Sequence, residues 1–281
     1  MRSPQIVASG AACGAEVSGV DLVAPGADAI AALREALAAH LVVVVRGQRL
    51  DETQLRALGE AFGPLEAQGV SVLANRDPVL RESHLVVTNR MALARPTGSL
   101  GGAAVWQSDL AYRMKPCSVA LLHAAAAAPG ARSVFANQQL ALDTLPADLR
   151  ARAEGRWLLQ DESVDGEGRL RGGFSAVLDP RESTGAQHPL LCRHPDSGRR
   201  ALFLGRRRMS YVIGLPLPES EALLDALWAH ATQPAHAWAH DWLSGDTLIW
   251  DNRALLHRHE AGVAAAHALM LRVQVRGERP R

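Results

Sequence analysis

The sequence has few cysteines and almost no net charge, and each shortage excludes a class of protein. Its cysteines, Cys13, Cys117 and Cys192, lie far apart and form no CxxC or Cys/His finger pattern, so neither a disulfide framework nor a zinc module is predicted. Thirty basic and 29 acidic side chains nearly cancel. Without a bulk positive field, neither a nucleic acid nor an anionic membrane surface is expected as a partner.

Long apolar runs are also missing. The longest aliphatic run, residues 41–45, is far too short to span a membrane, and the first ten residues contain no apolar stretch of signal-peptide length. We therefore expect a cytoplasmic protein. The chain has 281 residues, of which 48% are hydrophobic, enough for one large core. No repeat or shift in composition divides it, so residues 1–281 are predicted to form a single domain.

The apolar pattern predicts a mainly β core with flanking helices. The predicted helices cover residues 28–40, 51–62 and 219–230. The predicted strands cover residues 41–45, 85–88, 119–122, 201–204, 247–250 and 270–275. Asp28 is the expected N-cap of the first helix, and residues 124–128 fit a helix or a strand equally well. Two long loops, residues 90–104 and 161–185, are candidate lids.

Several short motifs together indicate a family. They are Gly14 to Leu22, Val45-Arg46-Gly47-Gln48, Phe62-Gly63-Pro64-Leu65, Trp106 to Asp109, His188-Pro189, His194-Pro195 and Gly245 to His257. With these motifs in this order, nearly the whole chain resembles the TauD/TfdA family of non-haem Fe(II)/2-oxoglutarate dioxygenases. The resemblance implies a double-stranded β-helix, or jelly roll, with the iron at its mouth. It also implies an oxidoreductase lineage acting on small molecules and, by analogy only, a homo-oligomer.

The resemblance assigns the metal ligands to positions 107, 109 and 257. In the family a His-x-Asp pair and a distant histidine hold Fe(II), which leaves three positions for 2-oxoglutarate and oxygen. This chain has Gln107 in place of the first histidine, followed by Asp109 and the distal His257. A carboxamide oxygen is a weaker, uncharged donor for Fe(II). Weak or absent iron binding is therefore expected, and Gln107→His is expected to raise the affinity for Fe(II).

The cosubstrate site is altered as well. The family has an arginine that clamps 2-oxoglutarate eleven residues after the distal histidine, and often a second arginine, four residues further on, that meets an acidic substrate. These positions are Ala268 and Arg272. Alanine cannot form the paired charged hydrogen bonds of a guanidinium, so 2-oxoglutarate is expected to bind weakly or not at all. Ser133 matches the family threonine beside the clamp, while Arg132 and His267 are alternative cations of undetermined direction.

Three functions therefore remain open. The favoured one is a repurposed enzyme that acts on a small acidic molecule through Asp109, His257 and Arg272 without ordinary 2-oxoglutarate chemistry, because the metal and cosubstrate determinants are lost together. Trp106 and Asn252 would keep the frame of its pocket. The second is an active dioxygenase with a Gln107, Asp109 and His257 metal site that hydroxylates a small molecule. The third is a catalytically silent binding or assembly partner.

Overall fold

The computed structural model describes residues 3–66, 86–88, 105–164, 170–260 and 269–281. Its strands are β1 (Gln5–Ala8), β2 (Ala15–Ser18), β3 (Val42–Val45), β4 (Val86–Thr88), β5 (Cys117–Ala126), β6 (Arg132–Asn137), β7 (Trp157–Leu159), β8 (Gln187–Pro189), β9 (Leu191–Arg193), β10 (Arg200–Leu202), β11 (Tyr211–Val212), β12 (Ala237–Asp241), β13 (Thr247–Asp251), β14 (Leu255–Glu260) and β15 (Leu269–Arg276). Its α-helices are α1 (Ala27–His40), α2 (Glu52–Glu60), α3 (Gln138–Asp143), α4 (Ala147–Ala153) and α5 (Leu217–Ala231).

The main sheet has seven strands in the order β1-β2-β3-β13-β5-β15-β4. Its interior strand β3 is a run of four valines, and all four are buried because both faces of the sheet are covered. Val43 and Val45 pack toward α1 and α2, together with Leu33 and Leu55. Val42 and Val44 belong to a different core on the other face. The period-two alternation of a strand thus separates an outer helical layer from an inner face.

The inner face lies against a second sheet with the order β12-β6-β14. Phe135 of β6 and Leu255 of β14 share a core with Leu248 and Trp250 of the main sheet. Ala136 and Leu256, the next residues along these strands, pack instead with the leucines of α5. Two facing sheets with helices on both outer sides form the jelly roll that the family resemblance implied.

The structure confirms most predicted elements and corrects some of their ends. The helix predicted over residues 28–40 is α1, but its N-cap is Gly26 and not Asp28, which lies in the first helical turn. Helix α2 begins after Asp51, whose side chain accepts a hydrogen bond from the Gln54 backbone N–H in a capping box. Residues 124–126 are resolved as the end of strand β5, because they pair with β15.

The two candidate lids are only partly described. Residues 90–104 lie outside the described residues, as do residues 165–169 of the second loop. The rest of that loop contains a short 3₁₀ turn, Pro180–Glu182. Within the part of the chain that the structure covers, no helix is long and apolar enough to cross a bilayer.

Candidate functional site

Strand alternation places two polar residues, Arg272 and His257, on the inner face of the jelly roll. On β15, Leu271, Val273 and Val275 pack toward α1 and α2. Arg272 lies between them in sequence and therefore faces the opposite way, into the space between the sheets. On β14, Leu255 faces inward, so His257, two residues further on, shares its face. His257 is fully buried, and its ring lies 5.2 Å from the ring of Trp250.

A short segment before β5 brings Asp109 to the same place. The Gln107 N–H donates to the His257 carbonyl and the His257 N–H donates to the Gln107 carbonyl, both at 2.8 Å. Asn252 then fixes the backbone of Asp109: its Oδ1 accepts from the Asp109 N–H at 2.7 Å and its Nδ2 donates to the Asp109 carbonyl at 3.0 Å. The framing role predicted for Asn252 thus has a direct structural basis.

The carboxylate of Asp109 lies between a cation and an imidazole. Arg272 Nη2 contacts Asp109 Oδ2, and His257 Nε2 lies 3.6 Å from Asp109 Oδ1, beyond hydrogen-bonding distance. Burial alone would raise the pKa of Asp109, but the charge of Arg272, with help from His257, lowers it to about 2. Burial also lowers the pKa of His257 to about 4, and Asp109 only partly opposes it. Near neutral pH, the carboxylate is therefore ionised and the imidazole is neutral.

Gln107 is also bound to a cation. Arg206 Nη2 donates to Gln107 Oε1 at 3.0 Å, and the two residues form a backbone bridge. Gln107, Asp109, Arg206, His257 and Arg272 are called the inner cluster below. Among the described residues, the buried atoms of the cluster that lack a hydrogen-bond partner include Arg272 Nε and both ring nitrogens of His257.

The other predicted cosubstrate groups lie elsewhere or have partners. Ser133 is fully buried, and its hydroxyl accepts from Trp242 Nε1 at 2.8 Å and lies 2.7 Å from His259 Nδ1. Arg132, one of the alternative cations, pairs with Asp241, and both side chains are exposed. Ala268 and His267 lie outside the described residues.

Arg206 was not identified from the sequence. It stands in the run Arg206-Arg207-Arg208, whose local pattern does not distinguish the half-buried arginine of the site from those that pair at the surface. Arg207 pairs with Glu221 and Asp225 at the surface, whereas Arg206 reaches the inner cluster. Only the long-range pairing with residue 107 separates the two roles.

The backbone conformation of Gly205 directs the Arg206 side chain toward the inner cluster. Gly205 has a φ of +63°, and a Cβ at this position would fall on the Gln160 carboxamide. Gln160 in turn bonds to the backbone on both sides of Gly205, through the Leu204 carbonyl and the Arg206 N–H. This packing fixes the direction in which the Arg206 side chain leaves the backbone.

Gly205→Ala is therefore expected to lower the free energy of unfolding by about 3 kcal/mol, through backbone strain plus a steric clash. Gly214→Ala is the matched control, because Gly214 has a similar φ of +83° but open space around it. We expect a loss of about 1 kcal/mol there. Urea denaturation of both variants measures the difference, and equal losses would contradict the packing role of Gln160.

The chain matches a family model over almost its entire length. The model describes the taurine catabolism dioxygenase TauD, TfdA family, and it matches residues 5–274. The chain belongs to the TauD/TfdA family.

Relatives of this TauD/TfdA chain include dioxygenases described as alpha-ketoglutarate-dependent. It is 30% identical over 254 residues to the alpha-ketoglutarate-dependent 2,4-dichlorophenoxyacetate dioxygenase of Burkholderia sp. (strain RASC), which covers 85% of this chain and 83% of that protein. It is 31% identical over 268 residues to the (S)-phenoxypropionate/alpha-ketoglutarate-dioxygenase of Delftia acidovorans, with 91% and 89% covered. A taurine dioxygenase structure from Burkholderia xenovorans is similar with a TM-score of 0.78 and 29% identity, covering 99% of this chain and 91% of that one.

Several TauD/TfdA relatives are described as dependent on alpha-ketoglutarate, which is the same compound as 2-oxoglutarate. Membership of this family implies Fe(II) and 2-oxoglutarate as cofactor and cosubstrate. The inner cluster, however, does not fit the metal. Within the described ranges, no group of three or more histidine, cysteine or acidic side chains could hold a metal ion. The amide oxygen of Gln107 already accepts from Arg206, and Asp109 Oδ2 contacts Arg272. A divalent cation here would meet two guanidinium groups, which oppose it electrostatically.

Proposed function

We propose that the inner cluster binds a small organic acid and that this chain acts on it without Fe(II)/2-oxoglutarate chemistry, as a repurposed member of its family. One observation carries the proposal: both oxygen-bearing side chains left at the metal positions are already bound to arginines. The sequence adds that the residue in the position of the cosubstrate clamp is Ala268, which has no charge to offer a second carboxylate.

The charge of the cluster favours an anionic ligand. Within the inner cluster, the guanidinium groups of Arg206 and Arg272 lie beside a single carboxylate, that of Asp109. Much of this charge is shielded from water, because Asp109 and His257 are buried and the side chain of Arg272 is 27% exposed. A carboxylate that enters the cluster would be attracted by these guanidinium groups, and low solvent exposure strengthens that attraction.

The unpartnered atoms of the cluster indicate where a ligand would bind. A buried polar group without a partner costs about 1–3 kcal/mol, so such atoms are rare in folded proteins unless something satisfies them. Arg272 Nε can donate to a ligand oxygen. His257, as a neutral imidazole, can donate through one ring nitrogen and accept through the other. These two side chains would orient the acid, while Asp109 holds the guanidinium of Arg272 in place.

The names of the relatives support an acidic substrate class. Two of them act on 2,4-dichlorophenoxyacetate and phenoxypropionate, which are small carboxylic acids, and a structural relative is named for taurine, a small sulfonic acid. We extend to this chain only the shared chemistry, which is one acidic group on a small organic molecule.

Isothermal titration calorimetry tests the proposal with Mn(II), 2-oxoglutarate and 2,4-dichlorophenoxyacetate as probes. For Mn(II) and for 2-oxoglutarate we expect dissociation constants weaker than about 1 mM, because one metal ligand and the cosubstrate arginine are absent. We also expect no succinate to be released when Fe(II), 2-oxoglutarate and oxygen are supplied together. Micromolar Mn(II) binding with succinate release would contradict the proposal.

That contradictory result would establish the second candidate, an active dioxygenase with a Gln107, Asp109 and His257 site. It is favoured by the relatives described as alpha-ketoglutarate-dependent, which match over most of this chain. Binding of an acid without any chemical change would instead indicate a silent binding protein. Mass spectrometry of the recovered acid separates these outcomes.

A further inference from the structure

Arg206, Gln107 and His257 stand side by side on three neighbouring backbone segments. Gln107 forms one antiparallel bridge with His257 and another with Arg206. Residues that face each other across an antiparallel bridge project their side chains to the same side. Arg206 therefore reaches the side of this small ladder on which Gln107 and His257 lie, and its contact with Gln107 Oε1 follows from that placement.

The guanidinium of Arg206 is held at more than one point. Nη2 donates to Gln107 Oε1 at 3.0 Å, and Nη1 donates to the Val164 carbonyl at 3.2 Å. Its own backbone N–H donates to Gln160 Oε1 at 3.2 Å. A planar group held through two of its nitrogens has little freedom to move away. Its charge is thus a fixed part of the inner cluster.

We propose that the guanidinium of Arg206, held by Gln107, takes the place of the metal and helps to exclude divalent cations from the inner cluster. This inference rests on the proposed function and adds a cause to it. Position 107 by itself explains a weak ligand, whereas the pair of Gln107 and Arg206 explains a resident positive charge. A fixed cation that lies a few ångströms from an incoming divalent ion repels it strongly where water is largely excluded.

The consequence is that restoring the ligand alone is not enough. From the sequence, Gln107→His is expected to raise the affinity for Fe(II), but Arg206 would still oppose the ion after this change. The two substitutions should therefore be coupled, and a double-mutant cycle measures coupling directly.

The cycle compares the full-length wild type with Gln107→His, Arg206→Met and the double variant, with Mn(II) binding measured by calorimetry. Methionine keeps much of the arginine stem and removes its charge. We expect Gln107→His alone to gain less than about threefold in affinity, and the double variant to gain at least about tenfold more than Gln107→His. Circular dichroism and urea denaturation check that each variant is folded.

A charge-keeping variant provides the control. Gln107→His combined with Arg206→Lys should bind Mn(II) no better than Gln107→His alone, since the positive charge remains. The lysine variant also tests the inference if Arg206→Met fails to fold. A gain of at least tenfold in Mn(II) affinity in that variant, relative to Gln107→His alone, would overturn the charge argument.

The inference fails if Gln107→His alone binds Mn(II) as tightly as the double variant, because Arg206 then excludes nothing. It also fails if the double variant binds no better than the wild type. Both results leave the proposed function standing, provided that the wild type still releases no succinate. The proposed function fails by a different result, namely tight metal binding and succinate release by the wild type itself.

Discussion

Asp251→Ala is expected to lower the free energy of unfolding by about 4 kcal/mol, the largest effect of any single substitution considered. Asp251 ends β13 and is only 3% exposed. Its Oδ2 lies 2.8 Å from His194 Nε2, and its two oxygens accept from the backbone N–H, Nε and Nη2 of Arg253. Alanine would leave a buried imidazole and a largely buried guanidinium without their shared acceptor. Urea denaturation at neutral pH measures the loss.

The control for Asp251 is Asp196→Ala. Asp196 binds the same Arg253 at 2.7 Å, but its side chain is 70% exposed. An exposed ion pair contributes little, so a change within about 0.5 kcal/mol is expected. Comparable losses in the two variants would show that the number of ion pairs matters and that their burial does not.

Acid titration provides a second measurement on Asp251. Burial alone would raise the pKa of Asp251, but hydrogen bonds and charge from Arg253 and His194 lower it from the ordinary value of 3.8 to about 2. A carboxyl group whose pKa is lower in the folded state stabilises the fold above its ordinary pKa, and this contribution disappears as the pH falls through the folded value. The wild type should therefore lose stability between about pH 4 and pH 2 more steeply than Asp251→Ala.

Arg272→Met is expected to lower the free energy of unfolding by about 3 kcal/mol. Asp109 is 5% exposed, and Arg272 is the main cation that lowers its pKa. Without that guanidinium the buried carboxylate either remains charged at high cost or takes up a proton. Thermal and urea denaturation both report the loss.

Arg276→Met is the matched control for Arg272, because Arg276 ends the same strand and is exposed. A change within about 0.5 kcal/mol is expected there. If Arg272→Met proved as mild as this control, the contact between Arg272 and Asp109 would not be a stabilising ion pair. Repeating the measurement at low pH adds a check, since protonation of Asp109 should shrink the difference between wild type and Arg272→Met.

Local sequence patterns predicted the helices and strands whose own residues show how they are buried. The β-branched run of residues 41–45 predicted a strand covered on both faces, and the helix predicted from Asp51 is α2. By contrast, β6 was not predicted, because Arg132–Asn137 is short and mixed in composition and is a strand only through its pairing with β12 and β14. The local pattern placed the N-cap of α1 wrongly at Asp28, because the helix begins one residue before it.

The candidate site was predictable where a motif carried it and unpredictable where distant segments meet. The motif positions identified Asp109 and His257, and the structure brings them to 3.6 Å. Arg206 lies about a hundred residues from Gln107, and no spacing rule connects them. Arg272 was predicted to bind an anion, and the structure shows a partner that the sequence did not reveal. Asp109 occupies one side of the Arg272 guanidinium.

The position of β13 in the main sheet also determines when the sheet can form. Strand β13 lies between β3 and β5 and pairs Val45 with Thr247, residues from opposite ends of the chain. During synthesis, β2 is available early on one side of β3, but the strand on its other side exists only after nearly the whole chain has been made. An exposed β-branched run of this kind readily pairs with other chains. Helix α1, which immediately precedes β3 and packs on it, can cover one face of those valines long before β13 arrives.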